Sequence, residues 1–553
     1  MNELIELKNW WLSNKQLWFN STPENDKIIC DMFCYLLSTN FDQNEITDYS
    51  AKLGYIILND QIIRHYVRMY NIDKIIIQTR LHSIIEFTKT FYEENKEKIN
   101  NYEFYFTLLP LRHTNIFQNQ EFVMNETWKK IESLDKTDNN YNNHYEIYKN
   151  YLKATYERAS YKDVTEINLD DGASYHVHLN IKEFIEKYKD MFDENTHNYT
   201  YNDNHTKLIR NNIINACNVL NNEQSYILSI SGGVDSMIIS WIFYVLGIDF
   251  VMVHINYANR PECEQEKEFL IKWAKYLNKR LFIKDIYEIN RPKCMQNELR
   301  KTYETYTRNI RYKTYLQVQE KVESYNNISA PIILGHNNDD CFENILTNIK
   351  DKKNYDNLNG MDFMTEIGFE ITRIVFYRPM INITKNEIYE YAHYNNIPYL
   401  YDSTPKWSLR GRIRDNVRPT LETWNSDIIS GMFELKNMVK DSLDCVDMLV
   451  NTWINKIEKI TDETKSKNEI KSLTINIEEL VKKNIFWNRF LIKLEIRPSI
   501  KSLENLMHKI NCIEYEFNKY QINVINKVEL SKGIKMHYYK NKDNKLVFNL
   551  LFN

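Results

Sequence analysis

The stretch Tyr226-Ile227-Leu228-Ser229-Ile230-Ser231-Gly232-Gly233-Val234-Asp235-Ser236-Met237 decides how the middle of this chain folds. An apolar, β-prone run stops at Ser-Gly-Gly, and an apolar helical pattern starts at Met237. The order is strand, glycine turn, helix start. Glycine lets the backbone approach a phosphate closely and supplies φ > 0 where the turn needs it. A helix start aims unpaired N–H groups and the positive end of its dipole at a bound anion. Ser231 and Ser236 add hydroxyl donors. Asp235 repels phosphate, so its place beside such a cradle points to Mg²⁺.

The spacing is not that of the Walker loop, which needs Gly-Lys-Ser/Thr after a longer spacer. Ser231-Gly232-Gly233-Val234-Asp235-Ser236 resembles the pyrophosphate loop, Ser-Gly-Gly-x-Asp-Ser, of the ATP pyrophosphatase superfamily. That resemblance implies ATP as co-substrate, adenylation of an oxygen and release of pyrophosphate.

The chain has 553 residues, enough for three or four domains. Its net charge is -4, so any RNA site must be a local patch and not a global basic field. Gly and Pro are scarce while Asn, Ile, Lys and Tyr are plentiful, the mark of AT-rich coding. None of the eight cysteines has CxxC spacing, which fits free thiols in a reducing compartment. No leader is read ahead of the first helix, and a cytoplasmic location without membrane contact is expected. Met237 to Ile255 is apolar enough to suggest a membrane span, but Gly247 and Asp249 divide it into buried helix, turn and buried strand.

Residues 1–135 read as all helical. Three patterns here resemble a bacterial family of unknown function with a tetratricopeptide-like helical fold. They are Trp18-Phe19 followed by Asp26 and Phe33, Leu58-Asn59-Asp60-Gln61-Ile62-Ile63-Arg64, and Leu109-Pro110-Leu111-Arg112-His113 with Gln120-Glu121. Asp60, Arg64 and His113 make either a polar pocket or a network tying helices together. A docking surface for an unknown partner is one expectation for this domain, an aid to RNA recognition another. Residues 136–205 read as a connector, with linkers at Lys136–His144 and Asn195–Asn204 and a helix near Ile181–Met191. Residues 206–420 alternate strand and helix and predict an α/β domain with a parallel sheet. Its strands are expected at Tyr226–Ile230, Phe250–Ile255, Arg280–Ile283 and Pro331–Gly335, with Ile374–Tyr377 a weaker fifth. Residues 421–553 read as α+β: helices, then a hairpin of Val528–Leu530, Lys535–Tyr539 and Lys545–Leu550. Lysines interleaved with Tyr538 and Tyr539 make this end either a solvated face or an RNA surface.

A second motif narrows the superfamily. Gly335-His336-Asn337-Asn338-Asp339-Asp340-Cys341-Phe342-Glu343-Asn344 follows a strand and opens a helix. It resembles the Gly-His-His-x-Asp-Asp-x-x-Glu-Thr motif of tRNA(Ile)-lysidine synthetases and their tRNA-thiolase relatives. Helix capping by the acids is the alternative reading. Thr307-Arg308-Asn309-Ile310-Arg311-Tyr312 resembles that family's Arg-x-x-Arg-Tyr helix. Leu358-Asn359-Gly360-Met361, Arg378-Pro379-Met380, Tyr401-Asp402-Ser403-Thr404, and Arg410-Gly411-Arg412-Ile413-Arg414 with Pro419 match its later segments in order. Trp487-Asn488-Arg489-Phe490 is similar to its C-terminal region. Asn337, Asn344, Pro405, Gly411 and the segment His254-Ile255-Asn256-Tyr257 depart from the pattern.

The resemblance implies a ligase that joins free lysine to the wobble cytidine of an isoleucine tRNA, using ATP and Mg²⁺. The pyrophosphate sits on Ser231, Gly232, Gly233, Val234, Asp235 and Ser236. Asp235 and Asp340 hold the metal. Asp235, Arg311, His336, Asp340 and Glu343 are the catalytic set, with Glu343 facing the lysine ammonium. Arg308, Arg410 and Arg414 face substrate or tRNA. tRNA thiolation by the same superfamily stands second, and a non-catalytic nucleotide-binding scaffold third.

Overall fold

The computed structural model describes residues 1–18, 20–168, 203–220, 225–326, 330–353, 358, 360–369, 372–400, 408–461, 469–519, 521, 524–531 and 533–552. The helix expected near Ile181–Met191, most of the second linker, Asn359, Tyr401-Asp402-Ser403-Thr404 and Pro405 lie outside them. The chain divides into two compact units.

The first unit comprises Met1–Gly335, Thr365–Tyr377 and Glu390–Tyr401. It opens with helices only, from Asn2–Ser13 to Phe117–Glu132. Local chemistry sets their starts. Thr22 accepts from the backbone N–H of Asn25 ahead of Pro23, and Asn100 closes a capping box with Glu103. Helices Asn2–Ser13 and Tyr49–Ile57 cross in backbone contact at Gly54, where an added Cβ would lie 2.0 Å from the Leu4 carbonyl oxygen.

The linker reading of Lys136–His144 stops short. From Tyr141 to Arg158 the chain is a helix that buries Tyr148, Tyr151, Leu152 and Tyr156 in the helical core. The buried positions keep helical spacing, but three of them are tyrosines in an Asn-rich stretch, which hid the apolar face. The strand β1 (Thr165–Glu166) then pairs antiparallel with β4 (Leu281–Asp285) and becomes one edge of the sheet.

The seven-stranded sheet has the order β1-β4-β3-β2-β5-β7-β6. Here β2 is Tyr226–Ser229, β3 Phe250–Asn256, β5 Ile332–Ile333, β6 Met364–Phe369 and β7 Thr372–Tyr377. The pairs from β4 through β7 are all parallel. All five expected strands are present; β1 and β6 are additions. The helix Val234–Val245 buries Met237, Ile238, Ile239, Ile242 and Phe243 all round, so it is core and not a surface helix. Among the described residues no helix is long and apolar enough to cross a membrane.

The helix Arg300–Asn326 joins two cores. Tyr303, Tyr306 and Ile310 lie in the helical-domain core together with Ile286, Ile289 and Cys294. Tyr315, Leu316, Val318 and Val322 pack under the sheet with Ile227, Val253, Phe282 and Phe376. At the helical-domain end Trp128 donates to the Tyr156 hydroxyl, and Tyr156 donates to the Glu288 carbonyl. The Tyr156 and Tyr306 rings meet edge-on with centroids 5.0 Å apart. Residues 1–158 and the sheet are therefore tied together by one helix that contributes to both cores.

The second unit comprises His336–Met364, Arg378–Tyr389 and Asp402–Asn553. Its C-terminal part is a five-stranded sheet in the order β10-β11-β12-β9-β8. These are β8 (Glu458–Thr461), β9 (Glu469–Ile475), β10 (Asn526–Ser531), β11 (Ile534–Lys540) and β12 (Leu546–Phe552), and every pair is antiparallel. The expected hairpin is the β10–β12 portion. Trp487 and Phe490 of the helix Asn484–Lys493 pack in its core, beside Phe548 and Trp453.

Gly54→Ala should destabilise the helical domain by about 3 kcal/mol, because backbone cannot yield as a side chain does. Thermal unfolding checks this. A melting temperature unchanged from the parent would mean that the two helices separate without cost.

Candidate active site

The turn after β2 is built as the sequence predicts. Gly232 has φ +86, and Gly233 at φ -69 caps the helix that begins at Val234. Ser231 Oγ accepts from Gly233 N at 3.3 Å, Ser236 Oγ accepts from Ser231 N at 3.1 Å, and Ser236 donates to the Gly233 carbonyl at 2.9 Å. Two hydroxyls thus hold the turn in place. The Gly232 carbonyl accepts from Leu400 N at 2.8 Å, and a Cβ on Gly232 would lie 2.6 Å from Leu400 Cδ1. Gly335, at the end of β5, passes so close that its Cβ would lie 3.2 Å from Asp235 Cβ and from Ser236 N. Both glycines are needed for close approach.

His254, on β3, opens the segment that departs from the family pattern, and sequence reading assigned it no role of its own. It is buried and its Nδ1 contacts the Ile230 carbonyl at 3.0 Å, one residue before the turn. Burial pushes its pKa down, so the ring is neutral, Nδ1 donates, and Nε2 is an acceptor with no partner among the described residues. Arg308 and Arg311 share a helix but not an environment. Arg308 is exposed, while Arg311 is half-buried beside Tyr257, Tyr315 and Tyr312. Burial works against the Arg311 charge, and those hydroxyls more than offset it.

In the second unit, the helix Asn338–Lys350 begins with a capping box. Asn337 Oδ1 accepts from Asp339 N at 2.9 Å and Asp340 N at 3.1 Å, and Asp340 Oδ2 accepts from Asn337 N at 3.1 Å. The departure at Asn337 thus has a physical role as the helix cap. The capping reading of the acids and the functional one meet in Asp340, whose other oxygen stays available for a cation.

That cation is arginine. Arg410 donates through Nη2 to Asp340 Oδ1 at 2.9 Å and through Nε to Glu343 Oε2 at 2.7 Å. Arg414 donates through Nε to Glu343 Oε1, and its Nη2 lies 3.6 Å from Asp340 Oδ1. Arg418 Nη1 meets Asp339 Oδ2 at 2.6 Å. The three arginines follow each other at four-residue steps through a π-helical turn, Ile413–Val417. Four-residue spacing stacks side chains on one face of such a wide turn. Arg410 and Arg414, expected to face substrate or tRNA, are engaged by the acids they follow in the sequence by about seventy residues. Glu343 is 2% exposed with both oxygens accepting. Any cation that reaches Glu343 competes with these guanidiniums.

His336 is fixed by Arg378, which donates through Nε to His336 Nδ1 at 3.1 Å and through Nη1 to the Asp362 carbonyl at 3.0 Å. The neutral ring therefore carries its proton on Nε2. Sequence reading quoted Arg378 and gave it no role, and it passed over Arg418 although the step from Arg414 repeats that from Arg410. Cys341 is buried against the Met361 carbonyl, and burial pushes its thiol up. Such a thiol is a poor nucleophile.

Among the described residues no group of three or more His, Cys, Asp or Glu side chains is gathered to hold a metal. The carboxylates of Asp235, in the first unit, and of Asp340, in the second, are each hard oxygen donors of the kind Mg²⁺ takes beside phosphates.

Residues 200–421 match the PP-loop domain family. This part of the chain is a PP-loop domain. A tRNA(Ile)-lysidine synthase from Mesoplasma florum is 27% identical to the chain over 320 residues, 54% of this chain and 73% of that protein. The one from Mycoplasma mycoides is 26% identical over 302 residues, 54% of this chain and 65% of that protein. The chain thus spans about two thirds of the length of the second relative. Among solved structures, a U34-tRNA thiolase from Methanococcus maripaludis is 14% identical with a TM-score of 0.33, over 43% of this chain and 79% of that one. The match to the PP-loop family falls on the turn at Ser231–Ser236 and on the helix at Asn338, and leaves the first 199 residues outside it.

Asn337→Ala should cost about 1–2 kcal/mol through loss of the cap, while Asn337→Asp keeps most of it. Faster amide exchange at Asp339 and Asp340 in the alanine variant is the expected sign; equal exchange in all three proteins would remove the capping role.

Proposed function

We propose that this protein modifies tRNA with ATP, adenylating the wobble cytidine of an isoleucine tRNA and joining it to free lysine. The observation that carries this reading is the glycine turn at Ser231–Ser236 inside a PP-loop domain whose curated relatives are tRNA(Ile)-lysidine synthases. The backbone N–H groups at the start of the helix Val234–Val245 face where a pyrophosphate would lie, and its dipole favours that charge.

The base oxygen attacks the α-phosphate and pyrophosphate leaves. The lysine amine then attacks the adenylated carbon, AMP leaves with the oxygen, and the amine loses a proton. Mg²⁺ held by Asp235 and Asp340 would neutralise charge on the departing pyrophosphate. His336, protonated on Nε2, donates to a phosphate or base oxygen and does not act as a base. Arg311 adds a fixed positive charge. Arg410 and Arg414 hold the carboxylates of Asp340 and Glu343 in place until substrates compete for them. The lysine carboxylate and ammonium have charged partners of both signs in that cluster. Positioning and electrostatics supply most of the rate.

Asp340→Asn should lower ATP–pyrophosphate exchange by about two orders of magnitude. Exchange at the parent rate would remove Asp340 from the reaction. Labelled lysine should appear on a tRNA cytidine by mass spectrometry. ATP turnover with no labelled tRNA would leave the PP-loop chemistry and end the lysidine assignment.

A further inference from the structure

The motifs at Leu58–Arg64 and Leu109–His113 take no part in that reaction, yet the fold brings them together. A π-helical turn spans Leu58–Ile62 and turns Asp60 inward, where it is 1% exposed. π-turns inside helices recur at functional sites. Asp60 Oδ1 accepts from Arg64 Nη2 at 3.0 Å and from His113 Nδ1 at 2.8 Å, and Oδ2 accepts from Gln61. Burial pushes the Asp60 carboxyl up, but the Arg64 guanidinium and the hydrogen bonds donated by His113 and Arg64 more than offset it, so it stays ionised. Burial pushes His113 down. The neutral imidazole therefore donates from Nδ1 to Asp60 and presents Nε2 as an acceptor. Arg112 Nη2 lies 3.4 Å from that nitrogen.

Asp60 is fully satisfied, as a structural network requires. Arg112 is not. It is 4% exposed, its guanidinium lies 4.8 Å from the centre of the Tyr151 ring, and its Nε and Nη1 are buried with no partner among the described residues. The Tyr151 hydroxyl, 0% exposed, is also unpartnered. The cluster holds two guanidiniums, one carboxylate and a neutral imidazole, which leaves one positive charge in excess. An enclosed cation with unmet donors is costly, and a helix tie does not require one. The missing component is an acceptor that carries negative charge.

We propose that the helical domain contains a second ligand site, for a small oxyanion of carboxylate or phosphate type, recognised by Arg112, the Tyr151 hydroxyl and Arg64. Arg64 and His113 are the members that reach solvent, with side chains 26% and 13% exposed, so the ligand enters on their side. Binding requires a local shift, because the Arg112 donors themselves are closed off. The site is independent of ATP chemistry and of the reading above.

Full-length protein is titrated by calorimetry with inorganic phosphate and, separately, with acetate, at constant ionic strength. Saturable binding of at least one anion below about 10 mM is expected. Arg112→Met should weaken that component at least about tenfold, the loss of charge-assisted donors. Ser231→Ala, which alters the pyrophosphate turn, should change it less than about twofold, separating the two phosphate sites. Response to phosphate alone identifies a phosphorylated ligand, and response to acetate alone a carboxylate. No saturable binding of either, or equal binding by Arg112→Met, overturns the proposal. Should Arg112→Met fail to fold, the half-exposed Arg64→Gln carries the test: unchanged affinity there overturns it as well.

Discussion

One residue without a side chain sets the head of the parallel sheet. Gly232 takes φ +86, and its carbonyl accepts from Leu400, a residue far along the chain. An added Cβ would run into Leu400 Cδ1 at 2.6 Å. Gly335 makes a second such approach, to the backbone of Asp235 and Ser236. Two strand ends and the bridge at Leu400 therefore converge on a turn whose hydrogen bonds are supplied by Ser231 and Ser236, while the helix start behind it keeps its dipole aimed outward. Bulk at either glycine would force these segments apart before any substrate is considered.

The acidic helix at Asn338 shows why capping and chemistry are not rival explanations. Asp340 closes the capping box with one oxygen and engages Arg410 with the other. The cap fixes the carboxylate, so its second oxygen is aimed without a loss of side-chain freedom on binding. Three acids against three arginines balance the charge, which is what lets the Glu343 carboxyl lie nearly inaccessible. The same balance means that any cationic ligand must displace a guanidinium, and the released guanidinium is then free for phosphate.

The helical domain is tied to the sheet by a helix that both cores share. Arg300–Asn326 is anchored in the helical core at Tyr303, Tyr306 and Ile310, and in the sheet core from Tyr315 onward. Arg308 and Arg311 sit near the changeover. A helix held at both ends keeps its arginines in place without help from a ligand, which gives the first 158 residues a positioning role whatever else they bind.

The sequence alone determined the elements whose signals are local. The strand–glycine–helix run at Tyr226–Met237, the alternation of strand and helix, and the acidic pattern at His336–Glu343 could be read because backbone sterics and helix periodicity act over a few residues. The helix Tyr141–Arg158 was hidden by composition, since tyrosine buries a ring and keeps a polar label. Strands β1 and β8 carry too few residues for any pattern to show. Only the tertiary structure decided what faces what. Arg410, Arg414 and Arg418 meet Asp339, Asp340 and Glu343, Arg378 orients His336, and Arg112 ends against Tyr151 with its donors unspent. Charge is visible in a sequence, but its partner is fixed by burial and by the closure of long loops, and neither is written in local spacing.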